Sequence, residues 1–202
     1  MKSPPNPAIF SSFMKKIANV ADLDFSEGLV ERISSSGDVA GTPFYHWRWK
    51  KKCLADAVIW PKTPEQVSAI LKLANQYSIP VTPRGAGSCY YGSAVPALGG
   101  IIIDVKRMKA IQIAPDSQTV TAQAGTCFAR LIEDLDQAGF QLGAYPTSAL
   151  TATLGGWAAN GGSAGIGTFQ NGSFFDQVVQ MQVVLPHGEI QLYTQKEEFE
   201  KF

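Results

Sequence analysis

The sequence predicts an α+β fold in two lobes, an α/β lobe followed by a mixed β-sheet lobe with helices. Three observations predict it. Between residues 54 and 106, short continuous apolar runs of the kind that form buried strands flank one strongly periodic helical stripe. From residue 107 onward the apolar residues instead alternate around turn residues, the pattern of hairpins. With 202 residues and 45% hydrophobic content, the chain is long enough for one domain or two small subdomains. Residues 1–53 then read as an N-terminal helical extension, 54–106 as the first lobe and 107–202 as the second.

The elements follow in order. Phe10, Phe13, Met14 and Ile17 lie at helical spacing within a segment from Ala8 to about Val20, and Phe25, Leu29 and Ile33 form a second short apolar set read as a packing helix. Ser34 to Asp38 reads as a loop. Phe44 to Lys52 interleaves aromatic with basic residues, a pattern shared by single-strand nucleic-acid binders and by amphipathic lead-in segments with solvated lysines. Ala57-Val58-Ile59-Trp60 has the character of a buried strand. Thr63-Pro64-Glu65-Gln66 carries a capping box with proline at the first helical position, and Val67, Ile70, Leu71 and Ala74 make the core-facing stripe of the helix it starts. Strands are expected at Val81-Thr82 and at Ile101 to Val105. In the second lobe, Ile111 and Ile113, a Pro115-Asp116-Ser117 turn, and Val120, Ala122 and Ala124 predict a hairpin. Phe128, Leu131, Ile132 and Leu135 predict a helix stopped at Gly139. Val178 to Leu185 and Ile190 to Tyr193 flank a tight turn at Pro186 to Glu189.

Charge and cysteine content narrow the function. Lys+Arg and Asp+Glu both total 17, so no net field draws the chain to nucleic acid or an anionic membrane, and nucleic acid is not expected as a partner. Cys53, Cys89 and Cys127 are odd in number and widely spaced, which supports neither a disulfide framework nor a zinc site and fits a reducing cytoplasm. No signal peptide is recognisable at the N-terminus, and no apolar run has the length of a transmembrane segment.

Glycine distribution points to the chemistry. Of 19 glycines, 13 lie in two windows, Arg84 to Gly100 and Gly143 to Gly172. Glycine permits positive φ and close approach of a ligand to the main chain, so glycine-rich loops after strands are natural phosphate cradles; they also serve simply as turns between strands. Two such windows together point to a ligand lying between them. From Gln137 to Phe175 there is no Asp, Glu, Lys, Arg or His, so this stretch offers amides, hydroxyls and shape, with no acid, base or metal cluster. Gly85-x-Gly87 followed by Gly92 does not match the Rossmann fingerprint, and no glycine precedes a lysine as a P-loop requires.

The stretch from Ala57-Val58-Ile59-Trp60-Pro61 through Pro83-Arg84-Gly85-Ala86-Gly87-Ser88, then Thr151 to Gly162 and Asp176 to Glu189, resembles the FAD-linked oxidase family of vanillyl-alcohol oxidase and the glycolate and lactate dehydrogenases. The resemblance covers roughly residues 54 to 193. It implies the two-lobed, PCMH-type FAD-binding domain and FAD as cofactor, in an oxidoreductase that passes a hydride from an alcohol or 2-hydroxy acid to the flavin. By position, it implies that Gly85, Ala86, Gly87 and Ser88 wrap the pyrophosphate with backbone N–H groups and that Thr153, Gly155, Gly156, Ala159 and Asn160 approach the FAD from the other side, with Gly92 and Pro146 also in the site. Arg84 has two readings, a contact to the cofactor and an ordinary surface pair.

Some members attach FAD covalently through a histidine, here Ser88, and a cysteine, here Ala149; the two departures imply non-covalent FAD. Cys89 is either a different attachment point or a small buried thiol that packs. His187 reads as a turn residue and Asp176 as bonding nearby backbone, so no catalytic or metal residue is expected here. Family members extend well past residues 197–202, so the small-molecule substrate is expected to meet a further domain or partner chain. Two alternatives stand beside this reading, a flavin- or nucleotide-binding module without turnover and a flavin reductase for cell-wall precursors; the second needs a catalytic pair that the sequence does not show.

Overall fold

The structure, a computed structural model, describes residues 6–39, 53–162 and 165–194. The aromatic and basic segment at 44–52 lies outside the described residues. Among the described residues the contacts divide the chain into two units, one running to Arg107 and including Val184–Ile190, the other comprising Met108–Val183 and the residues from Gln191.

The first unit is built on a four-stranded sheet of order β1-β2-β4-β3, with β1 Asp24–Ser26, β2 Ala57–Trp60, β3 Val81–Arg84 and β4 Ile101–Asp104. β2 and β4 pair in parallel (Val58 opposite Ile102), as do β3 and β4 (Arg84 opposite Asp104), and β1 runs antiparallel to β2. Every residue of β2 and β4 is buried, as expected for central parallel strands covered on both faces. Ala57, Ile59, Ile101 and Ile103 pack against α1 (Pro7–Ile17) and α3 (Pro64–Tyr77) through Phe13, Met14, Ile17, Ile70 and Ala74, while Val58, Trp60 and Ile102 form a smaller cluster on the opposite face. The N-terminal segment therefore supplies a core helix and an edge strand to this unit.

Four expectations are corrected here. Phe25 lies in β1, where it pairs with Ile59, and not in a helix. Leu29 and Ile33 do fall in a helix, α2 (Leu29–Ser35), but they are 59% and 55% exposed, so they do not form the packing stripe that their spacing predicts. α2 also takes in Ser34 and Ser35, which read as loop. The capping box at Thr63 is half made. Thr63 Oγ1 accepts from the Gln66 amide at 3.2 Å, but the Gln66 side chain bonds the Lys62 amide (2.7 Å) and the Ala21 carbonyl (2.9 Å), tying α3 to the turn before β1.

Asp24 accepts from Lys62 Nζ at 3.0 Å and from the Arg107 guanidinium, while Lys106 and Arg107 each lie within about 5.5 Å of the Trp60 ring centroid. This polar cluster closes one end of the sheet. The turn at Pro186–Glu189 docks on α3, where Ser68 Oγ and Asn75 Nδ2 donate to the carbonyls of Gly188 and Pro186. The buried Ser68 in the middle of α3 is thereby satisfied.

The second unit contains the hairpin of β5 (Ile111–Ala114) and β6 (Thr119–Ala122), in the register Ile113 opposite Val120, turned by Pro115–Ser117. α4 (Phe128–Gln137) buries Phe128, Leu131 and Leu135, and Gly139 beyond it takes φ +79°. Phe128, Ala152 and Phe174 make the core, with the Phe128 and Phe174 rings edge-to-face at 6.1 Å. Two short helices, α5 (Leu154–Ala159) and α6 (Thr168–Asn171), occupy the glycine-rich window that reads as loop. β7 (Met181–Val184) and β8 (Ile190–Tyr193) form a two-stranded sheet; Val178, expected to open the first of them, instead ends a 3₁₀ turn at Phe174–Gln177.

Candidate functional site

The two glycine-rich windows are built differently. In the first, β3 ends at Arg84, held in register with Asp104, and the chain leaves the sheet at Gly85. Among the described residues, the amides of Gly85, Ala86, Gly87 and Ser88 donate to no protein acceptor. Gly87 takes φ +70°, and its carbonyl accepts from the Val39 amide at 3.2 Å. Gly92, at φ +80°, has open space where a side chain would stand. Gly99 and Gly100 have a structural task instead: the Gly100 amide bonds Asp56 Oδ2 at 2.8 Å, and a Cβ there would collide with Pro80.

Charge surrounds this loop. Arg84 is half-buried, which pulls its guanidinium below its ordinary pKa, opposed by Asp104 and Asp38; its Nη1 donates to the Gly37 carbonyl. Asp104 is 1% exposed and is held by the Lys106 amide (3.0 Å) and ammonium (3.1 Å). Cys89 is half-exposed and does not pack as a buried thiol. Burial pushes its pKa up, but hydrogen bonds with the Ser93 hydroxyl and the Tyr91 amide outweigh this and leave it below the ordinary value.

In the second window the amides at the start of α5 are already used. Leu154 N–H bonds the Thr126 carbonyl (2.9 Å), Gly155 N–H the Ala124 carbonyl (2.8 Å), and Gly156 N–H the Thr153 hydroxyl that caps α5 (3.3 Å). A Cβ on Gly155 would stand 2.7 Å from that of Ala124, so glycine here permits close packing of a helix on a strand end. Ala159 and Asn160 are exposed at the end of α5, with Asn160 Nδ2 bonded to the Gly156 carbonyl at 2.8 Å. Pro146 is buried, and its carbonyl accepts from the Ala149 amide. Thr126, which the sequence reading passes over, is 1% exposed, and its hydroxyl has no partner.

Four unspent consecutive amides on a positive-φ turn fit a diphosphate, which needs several donors and close main-chain approach. At the start of α5 the second window offers no such run, because the amides of Leu154, Gly155 and Gly156 are bonded within the protein. His187 lies exposed in the β7–β8 turn with Nε2 2.9 Å from the Glu189 carboxylate, and Asp176 accepts from the Ser173 amide and hydroxyl, both at 2.7 Å, which organises the nearby backbone. Among the described residues no three His, Cys, Asp or Glu side chains are grouped to hold a metal, and no helix is long and apolar enough to cross a membrane.

The family model for the FAD binding domain matches residues 55–193. The chain belongs to this FAD-binding family. It is 35% identical over 136 residues to a D-lactate dehydrogenase of Archaeoglobus fulgidus, covering 66% of this chain and 30% of that protein. It is 31% identical over 138 residues to the glycolate oxidase subunit GlcD of Bacillus subtilis, covering 68% and 29%. Among solved structures, alkyldihydroxyacetonephosphate synthase superposes with a TM-score of 0.80 at 25% identity, covering 96% of this chain and 39% of that one. The α+β, PCMH-type FAD-binding fold is the one the chain adopts, and FAD is its cofactor. The chain spans about 30% of the length of these curated relatives.

Proposed function

We propose that the chain is the FAD-binding part of a flavin-dependent dehydrogenase or oxidase acting on an alcohol or a 2-hydroxy acid of the glycolate or lactate type. The observation that carries this reading is the run of four unspent amides at Gly85–Ser88, in a chain whose relatives include D-lactate dehydrogenase and a glycolate oxidase subunit. FAD, when bound, supplies the hydride acceptor. In this reading the chain's own residues bind and orient: Gly85, Ala86, Gly87 and Ser88 donate N–H groups to the diphosphate, and Gly92, Pro146, Thr153, Gly155, Gly156, Ala159 and Asn160 shape the remaining contacts. Ser88 and Ala149 support non-covalent binding, because neither side chain provides the nitrogen or sulfur of a covalent link. Three free cysteines support a cytoplasmic location. The substrate meets a further domain or a partner chain.

A second reading, a flavin-binding module without turnover, is favoured by one observation: Gln137 to Phe175 contains no Asp, Glu, Lys, Arg or His. Anaerobic addition of glycolate, D-lactate and simple alcohols to the FAD-loaded chain, alone and with any polypeptide that co-purifies with it, separates the two. Bleaching of the flavin by a 2-hydroxy acid supports the dehydrogenase. Flavin that stays oxidised throughout supports the module.

A further inference from the structure

Arg84 is the one cationic residue of the first glycine loop, and its side chain turns back onto the loop it precedes. Its stem is fixed by the β3–β4 register opposite Asp104. From there the guanidinium donates to the Gly37 carbonyl and covers the Gly87 Cα so closely that a Cβ on Gly87 would overlap Nη1, Nη2 and Cζ. Two residues farther along the same segment, the Val39 amide bonds the Gly87 carbonyl at 3.2 Å. Gly87 is thus held on one side by a planar cation and on the other by a backbone hydrogen bond, both anchored to the segment that follows α2.

We infer that Arg84 is a positioning residue: it braces the positive-φ turn at Gly87 so that the Gly85–Ser88 amides face a diphosphate before any ligand arrives. This rests on the FAD reading of the loop. Four adjacent unpaired N–H groups gain nothing from the protein for staying aligned, and a free loop pays conformational entropy when a ligand orders it. The brace removes that cost in advance. Glycine is demanded at residue 87 twice over, by the backbone angle and by the guanidinium that occupies the space of a side chain. Charge alone does not account for this geometry, because the guanidinium is packed on Gly87 and donates to the neutral Gly37 carbonyl, contacts that a purely ionic role does not need. Arginine suits the role better than lysine, since only a planar fork covers Gly87 while bonding Gly37.

The test uses the full chain with Arg84→Met and Arg84→Lys. Bracing predicts that hydrogen exchange of the Val39 amide, which bonds the Gly87 carbonyl, speeds up in the FAD-free protein for both variants, while the melting temperature stays close to that of the parent. FAD binding, read by flavin fluorescence, then weakens roughly tenfold or more. That loss is similar at low and high salt, and lysine does not restore it. The inference is overturned if FAD-free exchange is unchanged while FAD affinity falls in a salt-dependent way that lysine rescues, the signature of a direct ionic contact. Unchanged exchange with unchanged affinity overturns it as well. If Arg84→Met does not fold, Arg84→Lys carries the same measurements. If the parent chain does not bind FAD, the flavin reading fails by itself, and exchange in the FAD-free variants still decides whether Arg84 braces the loop.

Discussion

Gly155 lies directly on Ala124: its amide donates to the Ala124 carbonyl at 2.8 Å, and a Cβ added to it would stand 2.7 Å from the Ala124 Cβ. In an isolated helix, Gly155→Ala would gain up to about 1 kcal/mol from propensity. Here the overlap costs ~1–3 kcal/mol and dominates. Chemical denaturation of Gly155→Ala is expected to show a net loss of stability, with partial recovery in the double variant Ala124→Gly/Gly155→Ala.

Thr153 is buried and caps α5 through the Gly156 amide. Thr153→Ala should lose about 1 kcal/mol in the same denaturation experiment, and Thr153→Ser should retain most of the parent's stability. If alanine and serine destabilise equally, the methyl packing and not the cap is what matters there.

The Thr126 hydroxyl has no protein partner although the residue is fully enclosed. Replacing it with the isosteric methyl of valine removes the cost of an unpaired buried polar group, so Thr126→Val is expected to raise FAD-free stability by about 1 kcal/mol. A drop in melting temperature would mean that the hydroxyl is satisfied in solution by bound water.

Cys89 and Cys53 should respond to pH in opposite ways. Burial raises the Cys53 thiol above its ordinary pKa, whereas hydrogen bonds to the Cys89 sulfur favour its thiolate and hold it below. As pH falls, Cys89 therefore keeps reacting with iodoacetamide after Cys53 has stopped. Peptide-resolved labelling across pH reads both curves, and Ser93→Ala should move the Cys89 curve to higher pH.

Much of this fold was legible because it rests on local rules. Ala57–Trp60, the α3 helix with Ile70, Leu71 and Ala74 toward the core, Ile101–Asp104, the Ile111 to Ala122 hairpin and the Phe128 to Leu135 helix all follow from periodicity and turn residues, whereas Val67 of the expected stripe stays outside the core cluster and Gln66 and Ser68 are buried. What was not legible depends on distant partners. Phe25 fits a helical spacing with Leu29 and Ile33, yet it becomes a strand because the edge of β2 offers it hydrogen bonds. α5 is hidden by Gly155 and Gly156, poor helix formers whose helix is secured by Thr126, Ala124 and the Thr153 cap. Gln66 breaks the capping box because the Lys62 amide and the Ala21 carbonyl compete for its side chain. The same limit applies to the site. Glycine content marks both windows, but whether an amide is spent or free depends on what the fold places beside it: those of Leu154, Gly155 and Gly156 are spent, while among the described residues those of Gly85–Ser88 are not.

The most direct test of the account mixes the purified chain with FAD, removes the excess on a desalting column, and records the absorbance spectrum before and after denaturation. Flavin bands that travel with the protein and separate from it on unfolding are the predicted result. A colourless chain, or flavin that stays attached after denaturation, would contradict a non-covalent FAD site in this segment.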